Sequence, residues 1–154
     1  MAPRARSKSP SGRRKAAKSR YRLEDQVGFL MRVAMQRHTE IFMSGMIEGL
    51  TQPQFAALAK LLEVGPCSQN HLGRLIYLDG ATIKGVVDRL MARRFVTTQK
   101  DPRDKRRRAI ALSDSGRRTA EVAVGLAADI TAATLKSLTP AEQLSVVRLL
   151  KKLG

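Results

Sequence analysis

Apolar residues recur at three- and four-residue intervals along most of this chain, which is the spacing of helices that bury one face. The first such stretch covers residues 21–49 and predicts one long helix. Thr51 then has the side chain of a helix N-cap, with Pro53 in the first turn and Gln54 placed to complete a capping box. A second helix therefore begins at Thr51, and Gly65 ends it.

Two short helices come next, and a brief turn joins them. Ser68 and Asp79 are the next suitable N-caps, and each precedes apolar residues at helical spacing. A pair of short helices joined by a turn of about three or four residues predicts a helix-turn-helix.

After the fourth helix the apolar period changes to two, which predicts strands at 95–99 and 108–112. Residues 100–107 between them form the loop of a hairpin. A long helix follows from 114 to 138, and a last helix begins at Thr139 with a second capping box. The predicted fold class is mainly α with a small β-hairpin wing, a winged helix-turn-helix with further helices on both sides.

The formal net charge of +16 predicts polyanionic partners such as nucleic acid. Residues 1–20 hold eight Lys or Arg and no acidic residue, and they lack hydrophobic periodicity. We expect this segment to be a disordered basic tail, which either adds non-specific phosphate contacts or only keeps the chain soluble. Its Arg- and Ser-rich composition also resembles a transit peptide, so an organelle-targeted protein stays an alternative.

Other classes of protein are poorly supported by composition. The single cysteine, Cys67, rules out an intramolecular disulfide and suits a reducing compartment, so we expect a cytoplasmic protein. No apolar run approaches the roughly 20 residues of a membrane span, and no membrane partner is expected. Two histidines and one cysteine do not form a metal motif. We find no catalytic motif, so we expect neither an enzyme nor a cofactor.

The hairpin loop is the most charged element of the predicted fold. Residues 100–108, with the sequence KDPRDKRRR, place six cations and two aspartates beside the predicted helix-turn-helix. A basic loop held on two strands can lay Arg side chains into the minor groove of duplex DNA while a neighbouring helix occupies the major groove. This combination predicts a DNA-binding protein.

Five segments, in this order, resemble the MarR family of winged helix-turn-helix regulators. They are LGRL at 72–75, DGATIKGVVDRL at 79–90, RFV at 94–96, DPRDKR at 101–106 and LSDSG at 112–116. The resemblance covers most of residues 21–154, taken as a single domain, and implies an obligate homodimer. Its outer helices, 21–49 and 114–154, would interleave with those of the second copy. The winged part, 51–112, would bind a pseudo-palindromic operator, and a small ligand bound between the two parts usually releases the DNA.

By this resemblance the recognition helix is 79–93. Its exposed candidates near the N-terminus are Ala81, Thr82 and Lys84. Thr82 would bond a phosphate or a base edge, and Lys84 a guanine or a phosphate. The start of the preceding helix would contact a backbone phosphate through Ser68, Gln69 and Asn70.

In the wing, Asp104 and Arg106 look like the family's signature pair, in which the arginine enters the minor groove and the aspartate braces it. The remaining cations of the loop would hold phosphates: Arg103, Lys105 and Arg107. The family commonly has a glycine where Arg94 stands, just past the recognition helix. This departure leaves the geometry of the turn into the first strand open.

Four residues are candidates for an effector pocket, each with a second interpretation. His38 falls on the apolar stripe of the first helix, where a histidine is either a core or interface residue with a satisfied hydrogen bond or part of the pocket. Arg32 and Arg37 either neutralise an acidic ligand or extend into solvent. His71, in the first turn of the third helix, suits a pocket wall or a phosphate contact.

Together these observations predict a dimeric, sequence-specific transcription regulator, most simply a repressor released by a small effector. The stretch at 67–90 is similar to regulators of aromatic-acid breakdown, which implies an anionic aromatic acid or its coenzyme A thioester as effector. Two other classes stay open: a non-specific architectural nucleic-acid-binding protein, and a redox sensor that uses Cys67. No cation adjoins Cys67 in sequence to lower its pKa, which favours an inert thiol.

Overall fold

The computed structural model describes residues 21–154, so the predicted basic tail at 1–20 lies outside the described residues. Within them the chain forms six α-helices and one β-hairpin, which confirms the predicted mainly helical fold with a wing. In chain order the elements are α1 (Val27–Gly45), α2 (Gln52–Val64), α3 (Gln69–Leu75), α4 (Gly80–Ala92), β1 (Val96–Lys100), β2 (Arg108–Leu112), α5 (Asp114–Leu135) and α6 (Pro140–Leu153).

The helices begin where their capping residues predict. In five of the six helices the N-cap side chain accepts a hydrogen bond from the backbone N–H three residues later; four of these N-caps were predicted, namely Thr51, Ser68, Asp79 and Thr139, and the fifth is Ser113. In α2 and α6 the third residue completes a capping box: Gln54 Oε1 and Glu142 Oε2 accept from the N-cap N–H groups at 3.0 and 2.8 Å.

The ends of the first helix differ from prediction. The continuous helix expected over 21–49 is wrong, because α1 covers only Val27–Gly45 and short 3₁₀ turns flank it. Met46 has an extended backbone, with φ of −91° and ψ of 142°, which ends α1, and Glu48 and Gly49 beyond it have left-handed φ of 56° and 58°. The chain therefore turns sharply between α1 and the winged part.

Two further boundaries shift by a few residues. β1 begins at Val96 and not at Phe95, because the N–H of Phe95 donates to the carbonyl of Leu90 at 2.9 Å and closes α4. α5 ends at Leu135, ahead of the predicted end at 138. A proline at 140 disfavours helical backbone at the residue before it, so the chain leaves the helix in a short turn.

The core lies inside the winged part and beneath α1 and α5. Leucines from the linker before α2 and from α2, α3 and α4 are almost inaccessible to solvent: Leu50, Leu58, Leu61, Leu72 and Leu90. Burying side chains of this size contributes about 1.5–3 kcal/mol each. Within the helix-turn-helix, α3 and α4 pack closely at Gly73, where a Cβ would lie 3.1 Å from Cγ2 of Ile83. This contact fixes the position of α4 on the surface.

The outer helices leave much of their apolar surface exposed. α6 contains no buried residue, and the exposed fractions of Leu144 and Leu153 are 76% and 70%. Exposed apolar residues on α1 include Val27, Leu30, Met31 and Val33. Among residues 21–154 no single helix is long and apolar enough to cross a membrane; α5 and α6 pass that test only as a pair, with a bend of 108° between them.

Candidate nucleic-acid interface

The N-terminal end of α4 is held by its capping aspartate. Asp79 accepts two hydrogen bonds from Thr82, one from the backbone N–H at 2.8 Å and one from the hydroxyl at 2.7 Å. These bonds lower the pKa of Asp79, so the carboxylate stays ionised at neutral pH. Ala81 and Thr82 are exposed beside it. The hydroxyl of Thr82 donates its hydrogen to Asp79, so in this rotamer it can only accept a hydrogen bond from DNA.

Lys84 is not a free cation on this helix. Its ammonium lies 2.6 Å from Oδ2 of Asp88, one turn later, and the two side chains are 66% and 55% exposed. An exposed pair of this kind contributes little to stability, about 0.3–0.5 kcal/mol. DNA can therefore displace Asp88 from Lys84 at low cost. As long as the ion pair is intact, the carboxylate of Asp88 partly neutralises the positive charge of Lys84.

The wing loop is organised by its two aspartates. Oδ1 of Asp101 accepts from the N–H of Arg103 at 2.8 Å, and Oδ1 of Asp104 accepts from the N–H of Arg106 at 3.0 Å. Asp104 thus contacts Arg106 through the backbone and leaves its guanidinium unpaired by any described residue. The side chain that Asp104 does pair is Arg107, at 3.3 Å. Arg103 and Lys105 are also exposed, so the loop presents its cations outward.

A backbone bridge connects the wing to the start of α3. The N–H of Ile110 in β2 donates to the carbonyl of Cys67 at 2.8 Å, and the N–H of Cys67 donates back at 3.2 Å. Cys67 is buried there, and burial, followed by the charge of Asp101, raises the pKa of its thiol. The thiol is therefore protonated at neutral pH and poorly reactive. The bridge keeps α3 and the hairpin in one rigid surface.

Between α3 and the wing lies an open cleft of about 340 Å³. Ser68 and His71 line it on one side and Arg103 and Arg107 on the other. Ser68 caps α3 by accepting from the N–H of His71 at 3.2 Å. Gln69 is half-buried and Asn70 is exposed in the same turn, so these residues lie on one surface with the wing.

The turn from α4 into the wing accommodates Arg94 in an unusual conformation. Arg94 has a φ of 61°, a left-handed value that favours glycine. The hydrogen bonds are those of a Schellman C-cap: the N–H of Arg94 donates to the carbonyl of Met91, and that of Phe95 to the carbonyl of Leu90, both at 2.9 Å. The hydroxyl of Ser113 donates to the Arg94 carbonyl at 2.6 Å. The turn is thus formed without a glycine.

One contact across this region was missed by sequence reasoning. Nη2 of Arg93 donates to the backbone carbonyl of Glu48 at 2.6 Å, and its guanidinium lies 4.6 Å from the centroid of the Phe95 ring. Arg93 therefore links the end of α4 to the turn that follows α1. The partners are 45 positions apart in sequence, and only a cation in the last turn of a helix hinted at the contact.

The structure does not bring the four effector candidates into one cavity. His38 is half-buried on α1, where its Nδ1 lies 2.9 Å from the hydroxyl of Thr134 on α5. That hydroxyl donates to the carbonyl of Ile130, so Nδ1 of His38 carries the hydrogen and donates to Thr134. Arg32 stacks on Phe29 at 5.2 Å and is exposed.

The other two candidates lie apart from this contact. Arg37 is exposed on α1, and His71 lines the cleft beneath the wing. Beside α1, a shallow groove of about 240 Å³ against α5 is lined by Ile41, Gly45, Leu126 and Ile130. Within residues 21–154 no group of three or more His, Cys, Asp or Glu is arranged to hold a metal ion.

Comparisons with known proteins agree with this geometry. Residues 48–107 match the MarR family. The HTH-type transcriptional repressor NicR of Pseudomonas putida is 37% identical over 134 residues, which are 86% of this chain and 85% of NicR.

Two solved structures are similar over the same share of the chain. A probable transcriptional regulator from Pseudomonas aeruginosa is 45% identical, with a TM-score of 0.82 over 86% of this chain and 100% of that one. BpsR of Bordetella bronchiseptica, whose DNA binding is regulated by 6-hydroxynicotinic acid, is 38% identical, with a TM-score of 0.79 over 86% of this chain and 96% of BpsR. The chain therefore belongs to the MarR family of winged helix-turn-helix transcriptional regulators, which bind DNA and are not enzymes.

Proposed function

We propose that this regulator is a homodimeric repressor that binds a pseudo-palindromic operator and is released by a small anionic aromatic effector in the cytoplasm. The observation that carries the DNA-binding half is the single surface formed by α4, α3 and the wing. The backbone bridge at Cys67 holds α3 against the hairpin, and the cap at Asp79 fixes the start of α4. We therefore expect α3, α4 and the wing to keep their relative positions when they bind a duplex.

On this surface α4 enters the major groove and the wing loop enters the adjacent minor groove. Arg106 is the groove-entering side chain, because Asp104 fixes its backbone while its guanidinium has no described carboxylate partner. Phosphate contacts come from the flanking wing cations and from the start of α3, namely Arg103, Lys105, Arg107, Ser68, Gln69 and Asn70. Base-edge contacts come from the exposed part of α4, namely Ala81, Thr82 and Lys84.

The dimer is supported by the exposed apolar surface of the outer helices. α6 buries nothing within one protomer although Leu144, Leu150 and Leu153 lie on it. Exposed apolar surface of this extent marks an interface in most proteins. A second copy is the occupant we propose, since a two-fold dimer places two recognition helices one DNA turn apart and accounts for a pseudo-palindromic operator.

The effector assignment rests on similarity and on α1. NicR is a transcriptional repressor, and BpsR responds to 6-hydroxynicotinic acid, an aromatic acid. Of the candidates, His38 is the one that is half-buried between α1 and α5, where its Nδ1 is held by the hydroxyl of Thr134. We therefore place the acid against α1 at His38; Arg32 and Arg37, which are exposed on other faces of the same helix, would attract the anion without binding it directly. His71 lies at the wing cleft and would contact phosphate instead.

Release follows if the effector prefers a protomer arrangement in which the two recognition helices no longer match the operator. The affinity for the operator then falls by at most the ratio of the effector's affinities for the two arrangements. The corresponding coupling free energy is typically about 1–3 kcal/mol. Arg93 joins the turn after α1 to the end of α4, so it is a direct mechanical connection between the two parts.

The test is operator binding by the full chain at fixed salt, titrated with hydroxylated pyridine and benzene carboxylic acids and their coenzyme A thioesters. Release by one compound at micromolar concentration, with matching thermal stabilisation of the free protein, supports the proposal. Sequence-specific binding that no compound changes would remove the effector assignment. Binding without sequence preference and with a steep salt dependence would make the chain an architectural protein instead.

A further inference from the structure

The exposed face of α4 has an uneven distribution of side chains. Its inward residues are Ile83, Val86, Val87 and Leu90. With 3.6 residues per turn, the middle of the opposite face carries Ala81, Gly85, Asp88 and Ala92, and the three small residues among them form a strip along it. Lys84 lies on one flank of this strip, and Arg89 lies on the other. Because the residues of the strip are small, a long side chain from either flank can extend over them.

The guanidinium of Arg89 reaches the edge of this strip at Gly85. Its Nη1 lies 3.6 Å from the position that a Cβ on Gly85 would occupy. The arginine side chain thus folds back by one turn and places its guanidinium over the glycine. A larger residue at position 85 would put its own side chain in that space. Gly85 therefore leaves open the space beside which the guanidinium of Arg89 lies.

Of the two cations within α4, Arg89 is the one without an ion-pair partner among the described residues, and Arg93 lies just past the helix end. Lys84 is paired with Asp88 at 2.6 Å, and Arg93 donates to Glu48. Within residues 21–154, no carboxylate lies within 4.0 Å of Arg89. A guanidinium offers five donors in a planar fork, which matches the O6 and N7 acceptors that guanine presents in the major groove.

We propose that Arg89 is a specificity-determining residue that reads one guanine in each half-site, with Gly85 opening the position from which it does so. The inference rests on the proposed operator binding through α4 and names the base that the helix selects. Lys84, which is paired with Asp88 until DNA breaks that pair, contacts another base edge or a phosphate, so the planar fork that reads the guanine is that of Arg89.

The test compares the DNA sequences selected by full-length variants from a randomised duplex library at one salt concentration. Arg89→Ala removes the fork, and Arg89→Lys keeps the charge without the bidentate geometry. Gly85→Gln puts an amide into the same space, where glutamine pairs with adenine. Arg118→Ala on α5, an exposed arginine outside the winged part, is the matched control. Thermal melts of all four verify folding.

We expect the wild-type chain and the control to select the same motif with a guanine in each half-site. Arg89→Ala and Arg89→Lys should each lose about tenfold or more of the preference at that one base pair, and Gly85→Gln should shift it toward adenine. A uniform loss of affinity for every sequence, with a salt slope shallower by about one, would show a phosphate contact and overturn the inference.

The remaining outcomes separate this inference from the proposed function. A sharp wild-type motif that Arg89→Ala leaves intact overturns the role of Arg89 alone. A wild-type chain that selects no motif overturns both the role of Arg89 and the proposed sequence-specific repressor.

Discussion

The winged part buries its large apolar side chains, whereas the last helix, α6, leaves its own exposed. In the winged part Leu58, Leu72 and Leu90 are fully buried, and polar groups cap the helix ends. On α6, Leu144 is exposed and no residue is buried. One protomer thus encloses the apolar residues of its winged part but leaves the apolar residues of α6 exposed, and this is the surface on which we propose that a second protomer packs.

The largest effect is expected from charging that surface. Replacing both Leu144 and Leu150 with lysine leaves a lone protomer almost unchanged, because both side chains are already exposed. In a dimer the same change removes about 1.5–3 kcal/mol per buried leucine and places ammonium groups in the interface. We expect the dissociation constant of the dimer to rise by more than about 100-fold, measured by analytical ultracentrifugation.

The matched control for this pair is Val64→Lys, an exposed apolar residue of the winged part. The control should leave the molecular mass at that of a dimer. A wild-type chain that sediments as a monomer at micromolar concentration would end the dimer proposal.

The next largest effect tests how tightly the winged part is packed. A Cβ on Gly116 would overlap the carbonyl oxygen of Phe95, where α5 crosses the start of the wing. Gly116→Ala should lower the free energy of unfolding by about 3 kcal/mol, since backbone cannot move aside, as followed by urea denaturation. Gly80→Ala, with nothing within 4 Å, is the control and should change it by less than about 1 kcal/mol. Equal effects at the two glycines would refute the close contact.

A smaller effect is expected at the connection between the two regions. Arg93→Ala removes the hydrogen bond to the Glu48 carbonyl and the stacking on Phe95. We expect a loss of about 1 kcal/mol in the free energy of unfolding. Glu48→Gln keeps the backbone acceptor and alters only the exposed carboxylate at 3.4 Å, so it should cost less than about 0.5 kcal/mol. A greater loss for Glu48→Gln would show that the ion pair makes the connection.

The smallest effect is a gain in stability. Arg94 occupies a left-handed backbone position that glycine adopts without strain. Arg94→Gly should raise the free energy of unfolding by about 0.5–1 kcal/mol, the relief of strain being partly offset by the greater freedom of glycine in the unfolded chain. Arg94→Ala, which keeps the strain, should give no gain in the same urea titration. Destabilisation by Arg94→Gly would mean that the arginine side chain supports the turn.

Local chemistry explains why much of the fold could be predicted. The caps at Thr51, Ser68, Asp79 and Thr139 are decided by residues within three positions, and the hairpin by a change of period. The helix over 21–49 could not be divided correctly, because it is bounded by extended backbone at Gln26 and Met46, two residue types that do not mark helix ends.

The candidate site was predictable to a similar degree. The charge of the wing could be predicted because its cations are adjacent in sequence, and the cap of the recognition helix because Asp79 directly precedes the helix. The contact between Arg93 and Glu48 depends on tertiary packing across 45 positions, and the position of Arg89 over Gly85 depends on a rotamer. Neither has a sequence signal of its own, which is why the cation that we assign to base reading was not among the predicted residues.

The central claim, that two copies place two winged surfaces on one duplex, is tested most directly by a hydroxyl-radical footprint of the full chain on its best selected sequence. We expect two protected half-sites whose centres lie about one helical turn, or about 10 base pairs, apart, with additional minor-groove protection beside each half-site that is lost in Arg106→Ala. A single protected patch, or uniform protection along the whole duplex, would contradict the claim that two copies bind one duplex.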